Sequence, residues 1–376
     1  MKKVKILHVI GTRPEAIKLA PVILEAEKFP QQIVNRVCST AQHREILDEV
    51  LSLFGIEPHF DLDVMQENQS PNHVAASVMR KLDDLLLAEK PDWVVVQGDT
   101  TTAAAAALAA FYRGARVAHV EAGLRSFDKR QPFPEEVNRR IAGIVADLHF
   151  APTQRARDNL LREGAPAESI KVTGNTVIDA LHWVSRLPCD DVPSCAKPPG
   201  AATRIILVTA HRRENWGGPL EEICYALREL AGAYKDGIRI IYPVHPNPNV
   251  RDPVHRLLGS EPNIVLTAPL GYLAFVQVMK QSYLLITDSG GLQEEGPALG
   301  KPVLVLRNVT ERPEAVEAGT AKLVGVRREN IVTEAARLLD DPAAYRLMAS
   351  ATSPYGDGHA SQIIIQTLLS SSEDAS

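Results

Sequence analysis

Short apolar runs alternate with longer amphipathic stretches along the chain. Val4–Ile10 predicts a buried strand and 15–28 a helix; Ile33–Ser39 and 45–54 repeat the pair. Strand Trp93–Gln97, an Ala-rich helix at Thr101–Tyr112, strand 115–120, helix 135–146 and strand 148–150 follow. Strands separated by helices imply a parallel sheet covered on both faces. The segment 188–202, rich in Pro, Cys, Ser and Ala, has neither period and predicts an interdomain linker. The rhythm then restarts with strands at 204–208, 238–242, 264–266, 283–287, 303–306 and 322–324, a helix at 220–234 and further helices between the later strands. The fold class is therefore α/β, with two Rossmann-like domains facing a central cleft, over 1–187 and 203–358. A last periodic stretch at 361–369 predicts a closing helix, about 359–370, packed back on the first domain; the tail from Ser370 reads as disordered.

Length agrees, since 376 residues exceed one ordinary domain and suit two. A net charge of -5 argues against nucleic acid as a partner, because phosphate binding usually shows as a basic excess. No apolar run reaches the length of a membrane span. The apolar run after Met1-Lys2-Lys3 stops at Gly11 with no small-residue cleavage site, which fits a buried first strand better than a secretory signal. Cys38, Cys189, Cys195 and Cys224 form no Cys-x-x-Cys pair; free thiols in a reducing cytoplasm are expected.

In open parallel sheets, ligands bind beyond the carboxyl ends of the strands. Dense polar residues stand there. Gly11-Thr12-Arg13-Pro14-Glu15, with Lys18 one turn on, follows the first strand; Arg13 is either an anion ligand or a solvated turn residue. Asp99 and Glu121 each leave a strand at the same end of the sheet, and Glu135 opens a helix ahead of Arg139. Taken singly, such carboxylates are helix caps or partners of Arg125 or Arg139. Gathered at one mouth, they become candidates for moving protons. In the second half His211 and His245 follow successive strands, where either reaches phosphate or is structural. Asp288-Ser289-Gly290-Gly291 leads from an apolar run into a helix, so exposed N–H groups there make an anion site. Glu294 or Glu295 is placed to accept sugar hydroxyls, and Arg312 supplies another cation. No Gly-x-Gly-x-x-Gly follows a strand, no Walker lysine loop occurs, and no His/Cys/Asp set has metal-ligand spacing. Neither cofactor nor metal is expected.

Seven of these segments, in this order, resemble those of the non-hydrolysing UDP-N-acetylglucosamine 2-epimerases. They are Gly11-Thr-Arg-Pro-Glu-Ala-Ile-Lys18, Gln97-Gly-Asp-Thr-Thr-Thr102, His119-Val-Glu-Ala-Gly-Leu-Arg125, Pro134-Glu-Glu136, His211-Arg-Arg-Glu-Asn215, Asp288-Ser-Gly-Gly-Leu-Gln-Glu-Glu295 and Glu311-Arg-Pro-Glu314. The resemblance spans roughly residues 4 to 369 and implies the glycosyltransferase-B architecture. It implies that Arg13, His211, Ser289, Gly290 and Gly291 hold the UDP diphosphate, Glu295 the ribose and Phe275 the uracil. Lys18, Asp99, Glu121, Glu135, Arg139 and Arg312 would line the sugar side, with Asp99, Glu121 and Glu135 as acid/base candidates and His211 assisting. Gln42, His43, Glu45 and His245 are candidates for an allosteric UDP-sugar site; Glu49 stands where many members have Gln. A cytoplasmic homodimer is implied.

The C2 hydrogen of a nucleotide sugar is not acidic, so epimerisation needs either oxidation of a neighbouring carbon or loss of the anomeric group. The missing dinucleotide fingerprint favours elimination over oxidation, and the resemblance implies elimination of UDP to a 2-acetamidoglucal followed by re-addition. Alternatives are a 2-epimerase for a modified UDP-sugar, a glycosyltransferase of the same fold, or a non-catalytic nucleotide-sugar sensor.

Overall fold

The computed structural model describes residues 3–40, 44–64, 69–189 and 203–373. The chain divides into two units: Met1–Trp183 with Tyr355–Ser376, and Val184–Pro354. Most of the expected linker, 190–202, lies outside the described residues.

The first unit runs β1 (Val4–Ile10), α1 (Arg13–Glu27), β2 (Ile33–Ser39), α2 (Arg44–Leu53), β3 (Phe60–Asp61), α3 (Pro71–Glu89), β4 (Trp93–Gln97), α4 (Thr101–Tyr112), β5 (Arg116–Val120), α5 (Glu135–Val145), β6 (Leu148–Ala151), α6 (Gln154–Arg162), β7 (Ile170–Val172) and α7 (Thr176–Val184). Its strands form one parallel sheet in the order β3-β2-β1-β4-β5-β6-β7. The near-continuous apolar runs of β1 and β4 follow from burial on both faces. On α4 the small side chains of Ala103–Ala107 are all buried, so that helix packs closely. The order reverses between β1 and β4, and the loops leaving these two strands share one end of the sheet.

Helix α3 was not legible in the apolar rhythm. Its buried residues Val74, Val78, Leu82 and Leu86 recur every four positions, and Ala75, Met79 and Leu85 pack beside them. Its start is nevertheless signed: Ser70 Oγ accepts from His73 N at 3.3 Å and Pro71 takes the first helical position.

The second unit runs β8 (Arg204–Thr209), α8 (Gly218–Tyr234), β9 (Ile238–Pro243), α9 (Pro248–Leu258), β10 (Ile264–Thr267), α10 (Tyr272–Gln281), β11 (Leu284–Thr287), α11 (Leu292–Ala298), β12 (Val303–Val305), α12 (Pro313–Glu317), β13 (Ala321–Leu323), α13 (Arg328–Asp340) and α14 (Pro342–Ala349). Its parallel sheet has the order β10-β9-β8-β11-β12-β13, reversing between β8 and β11. Both units are Rossmann-like.

The C-terminal helix, Ala360–Glu373, belongs to the first unit and packs on α1. Asp179 of α7 anchors its start. That buried carboxylate accepts from Ala360 N (3.3 Å), Ser361 N (2.8 Å) and Ser361 Oγ (2.6 Å). The expected disorder from Ser370 is corrected, because the helix continues to Glu373. Trp93 Nε1 donates to Ser372 Oγ at 2.9 Å, and Arg116 donates to the Ser371 carbonyl at 2.9 Å. Asp179→Ala leaves buried donors unpaired and is expected to destabilise the first unit by about 1–3 kcal/mol. A lowered urea midpoint, with faster hydrogen exchange across 360–373, checks this.

Three histidines, His8, His119 and His149, lie buried on β1, β5 and β6. Burial lowers them to about 3, about 4 and about 4, from 6.5. As pH falls below 6.5 the unfolded chain takes up these protons and the native chain does not, so stability falls. Glu15, raised by burial to about 7, acts in the opposite direction, since the native chain then holds a proton that the unfolded one has lost. Each unmatched proton is worth about 1.4 kcal/mol per pH unit. The histidines outnumber Glu15, so the urea midpoint is expected to drop between pH 6.5 and 4.5; a flat or rising midpoint would contradict this.

Candidate active site

In the first unit the loops after β1, β4 and β5 carry the candidates. Gly11 ends β1 against α4: a Cβ there would lie 2.5 Å from Thr102 Oγ1 and 2.8 Å from Thr40 Oγ1. Glu15 then holds the loop. Its buried carboxylate accepts from Gly11 N (3.1 Å), Thr12 N (2.7 Å), Thr12 Oγ1 (2.8 Å) and, across the switch point, Thr100 Oγ1 (2.7 Å). Burial raises its pKa to about 7, and the bonds from Thr100 and Thr12 work against that rise. The Thr-x-x-Glu spacing of a capping box was the available signal for Glu15, which sequence reasoning did not single out. Arg13, at the first position of α1, is exposed and makes no ion pair among the described residues.

Glu121 is buried and sits at φ +61°, a left-handed conformation uncommon outside glycine. Lys18 Nζ donates to its two oxygens at 2.7 and 2.5 Å. Gln97 Nε2 donates to Oε2 and Asn175 Nδ2 to Oε1, the latter at 3.1 Å. Donors on both oxygens fit an ionised carboxylate, which only accepts. Gln97 and Asn175 had been missed, Asn175 because it comes from the distant end of β7.

Asp99 pairs with Arg139, one of the two partners considered from sequence; Arg125 instead pairs with Glu163 at 2.6 Å. The turn carrying Asp99 is clamped to β5. Gly98 N donates to the Val120 carbonyl at 2.9 Å, and the Gly98 carbonyl lies 2.7 Å from His119 Nε2. A carbonyl only accepts, so His119 Nε2 carries the proton, and burial keeps the ring neutral by lowering it to about 4.

The adjacent acids Glu135 and Glu136 are separated by the helical turn. Glu136 is fully buried and accepts from Ser126 N (3.0 Å), Phe127 N (3.1 Å) and Arg139 (3.3 Å), which shapes the 126–127 loop. Glu135, half-buried at the start of α5, has no hydrogen-bond or ion-pair partner among the described residues.

In the second unit the fully buried Asp288, at the end of β11, does what Glu15 does in the first. Its Oδ2 accepts from His211 N (2.8 Å), Arg212 N (2.9 Å) and Asn215 Nδ2 (2.9 Å), binding the loop after β8. Its Oδ1 lies 3.5 Å from His211 Nδ1. The His211 side chain is 43% exposed and stacks on His245, with ring centroids 5.7 Å apart and planes inclined by 11°. Desolvation lowers the His211 pKa; Asp288 opposes this, while His245 and Arg212 add to it.

Ser289, Gly290 and Gly291 lead into α11. Thr287 Oγ1 accepts from Ser289 N at 2.9 Å. A Cβ on Gly290 would stand 3.0 Å from Glu311 Oε1 and 3.3 Å from the Arg312 guanidinium, so glycine leaves room for that ion pair. Arg312 Nε donates to the buried Glu294 at 2.8 Å. Glu311 collects Arg307 (2.6 Å), Arg212 (3.2 Å) and Arg312 (3.2 Å). Burial pushes its carboxyl up, but the three guanidinium groups outweigh burial and leave it at about 2. Glu295 accepts from Tyr272 Oη at 3.2 Å, and the half-buried Phe275 lies one turn along the same helix, α10. Asp288 and Tyr272 were not singled out from sequence, because their partners are distant in the chain; nor was Glu311, although Arg307 and Arg312 lie close to it in sequence.

Of the regulatory candidates, Gln42, His43 and the Glu45 side chain lie outside the described residues, and His245 is the partner of His211. Among the described residues no group of three or more His, Cys, Asp or Glu is placed to hold a metal ion. No described helix is long and apolar enough to cross a membrane.

The family profile described as UDP-N-acetylglucosamine 2-epimerase matches residues 11–369. The chain is 50% identical over 369 residues to a UDP-N-acetylglucosamine 2-epimerase of Bacillus subtilis, covering 98% of this chain and 96% of that one. It is 51% identical over 372 residues to the enzyme of the same name from Salmonella typhimurium, covering 97% and 98%. The crystal structure of a UDP-GlcNAc 2-epimerase from Neisseria meningitidis bound to UDP-GlcNAc superposes with a TM-score of 0.89 at 48% identity, covering 98% of this chain and 100% of that one. With these matches spanning both sheets and every strand-end motif, the chain belongs to the UDP-N-acetylglucosamine 2-epimerase family.

Proposed function

We propose that the chain interconverts UDP-N-acetylglucosamine and UDP-N-acetylmannosamine by eliminating UDP and adding it back. The observation that carries this reading is the set of three acids, Asp99, Glu121 and Glu135, on the strand-end loops of the first sheet and the helix that follows them. The bound UDP-GlcNAc of the Neisseria relative supports the choice of substrate.

In the forward step a carboxylate takes the C2 proton. The C–H electron pair becomes the C1=C2 bond of the glucal, and the C1–O pair leaves on the β-phosphate of UDP. In the return step that phosphate oxygen attacks C1 while an acid protonates the other face of C2. Two faces require two proton carriers. Glu135, with no partner to displace, is the acid best able to exchange a proton; Asp99 and Glu121 are held by Arg139 and Lys18. His211, Ser289, Gly290, Gly291 and Arg13 take the diphosphate, where cations and free N–H groups stabilise departing UDP. Glu295 takes the ribose and Phe275 the uracil. Lys18, Arg139 and Arg312 face the sugar. A second UDP-sugar near Gln42, His43, Glu45 and His245 regulates turnover.

The chain works in the cytoplasm, in keeping with free thiols at Cys38, Cys189 and Cys224. It acts as a homodimer. Phe111 and Tyr112 on α4 and Ile144 on α5, exposed by 56%, 68% and 82%, offer an apolar face for a second copy.

Turnover of UDP-N-acetylglucosamine in heavy water is expected to place deuterium at C2 of both epimers, read by proton NMR. Glu135→Gln should slow this exchange about 10²–10⁴-fold while UDP still binds. Epimer formed without deuterium would refute elimination. Light scattering should give twice the chain mass for the wild type, and Ile144→Asp should shift it toward the single chain.

A further inference from the structure

We infer that Asn175 is a positioning residue for the Glu121 carboxylate, joining it to the segment where the chain re-enters the first unit. The inference rests on the epimerase reading above.

Glu121 leaves β5 in a left-handed turn, so the strand does not dictate where its side chain points. Neighbouring donors do. Lys18 reaches it on a long, partly exposed stem, whereas the amides of Gln97 and Asn175 are buried and grip opposite oxygens. If Lys18 swings toward a bound sugar, the two amides still fix the carboxylate.

Asn175 is itself fixed at three points. Its Oδ1 accepts from Val177 N at 3.1 Å, at the start of α7, so its amide nitrogen must be the atom facing Glu121. Its own N–H donates to the Tyr355 carbonyl at 2.7 Å. The adjoining backbones touch: a Cβ on Gly174 or on Gly356 would lie 2.9 Å from the other glycine's Cα. Tyr355 is the first residue of the chain after its excursion through the second unit. Two hydrogen bonds therefore link that return point to Glu121.

The helix cap and the Glu121 contact use different atoms of one side chain, and this separates the two roles. Asn175→Asp keeps the acceptor for Val177 but deletes the donor and sets a second carboxyl against Glu121. Steady-state epimerisation, the pH profile of kcat, thermal unfolding and UDP titration are measured for the wild type and this variant. Asn175→Asp is expected to unfold near the wild-type temperature and bind UDP as the wild type does. Its kcat is expected to fall about 10²-fold, the scale of a misplaced reacting group, with KM little changed. The acid limb of its pH profile is expected to move to higher pH, since two adjoining carboxyls resist ionising together.

Wild-type kcat and a superimposable profile in Asn175→Asp would show that only the cap matters and overturn the inference. If that variant does not fold, Asn175→Ser, which keeps a short cap acceptor and cannot reach Glu121, decides it: lowered kcat with UDP binding retained supports the inference, and unchanged kcat overturns it. A wild-type protein without C2 exchange would instead overturn the epimerase reading and this inference with it.

Discussion

A buried carboxylate at the switch point of each sheet accepting main-chain N–H groups is the interaction on which the site loops depend. Glu15 binds the amides of Gly11 and Thr12 and reaches Thr100 beyond β4; Asp288, at the end of β11, binds those of His211 and Arg212 beyond β8. A parallel sheet leaves its strand-end loops without ladder partners, so something else must fix them. An acid that, once ionised, only accepts suits a cluster of donors that have no other acceptor. Arg13 and Lys18 flank the first of these anchors on one helix, and His211 is held directly by the second.

Around those anchors, Arg13 apart, the cations are already paired. Lys18 lies on Glu121, Arg139 on Asp99, and Arg312 between Glu294 and Glu311. Such pairing keeps half-buried ions from the penalty of standing alone and fixes where their side chains lie. Glu135 differs from Asp99 and Glu121 in having no hydrogen-bond or ion-pair partner among the described residues.

Much of the fold was legible because it is periodic. Buried strands such as β1, β4, β8 and β11 announce themselves as apolar runs, and Ser-Gly-Gly before α11 marks a tight turn. Helix α3 escaped although Val74, Val78, Leu82 and Leu86 recur every four positions, and the end of the C-terminal helix because Ser371 and Ser372 read as tail although Arg116 and Trp93 bind them. In the site, residues at strand ends could be picked out one by one. Those that hold them could not: Asn175, Asp288 and Tyr272 matter through partners tens of positions away, and Glu136 differs from Glu135 only by the turn of a helix. Local sequence carries periodicity and turn chemistry, but not who meets whom across a sheet.

The C-terminal helix gives the first unit an unusual dependence on the order of synthesis. The side chains of Trp93 and Arg116, in the middle of its sheet, hydrogen-bond to Ser372 and Ser371, and Asp179 waits for Ala360 and Ser361. A ribosome makes all of Val184–Pro354 before it makes those residues. The second unit, continuous in sequence, is free to fold while still being translated, as continuous domains generally do. The first must keep a groove beside α1 open until the chain returns to close it, so the half that emerges first is the half finished last.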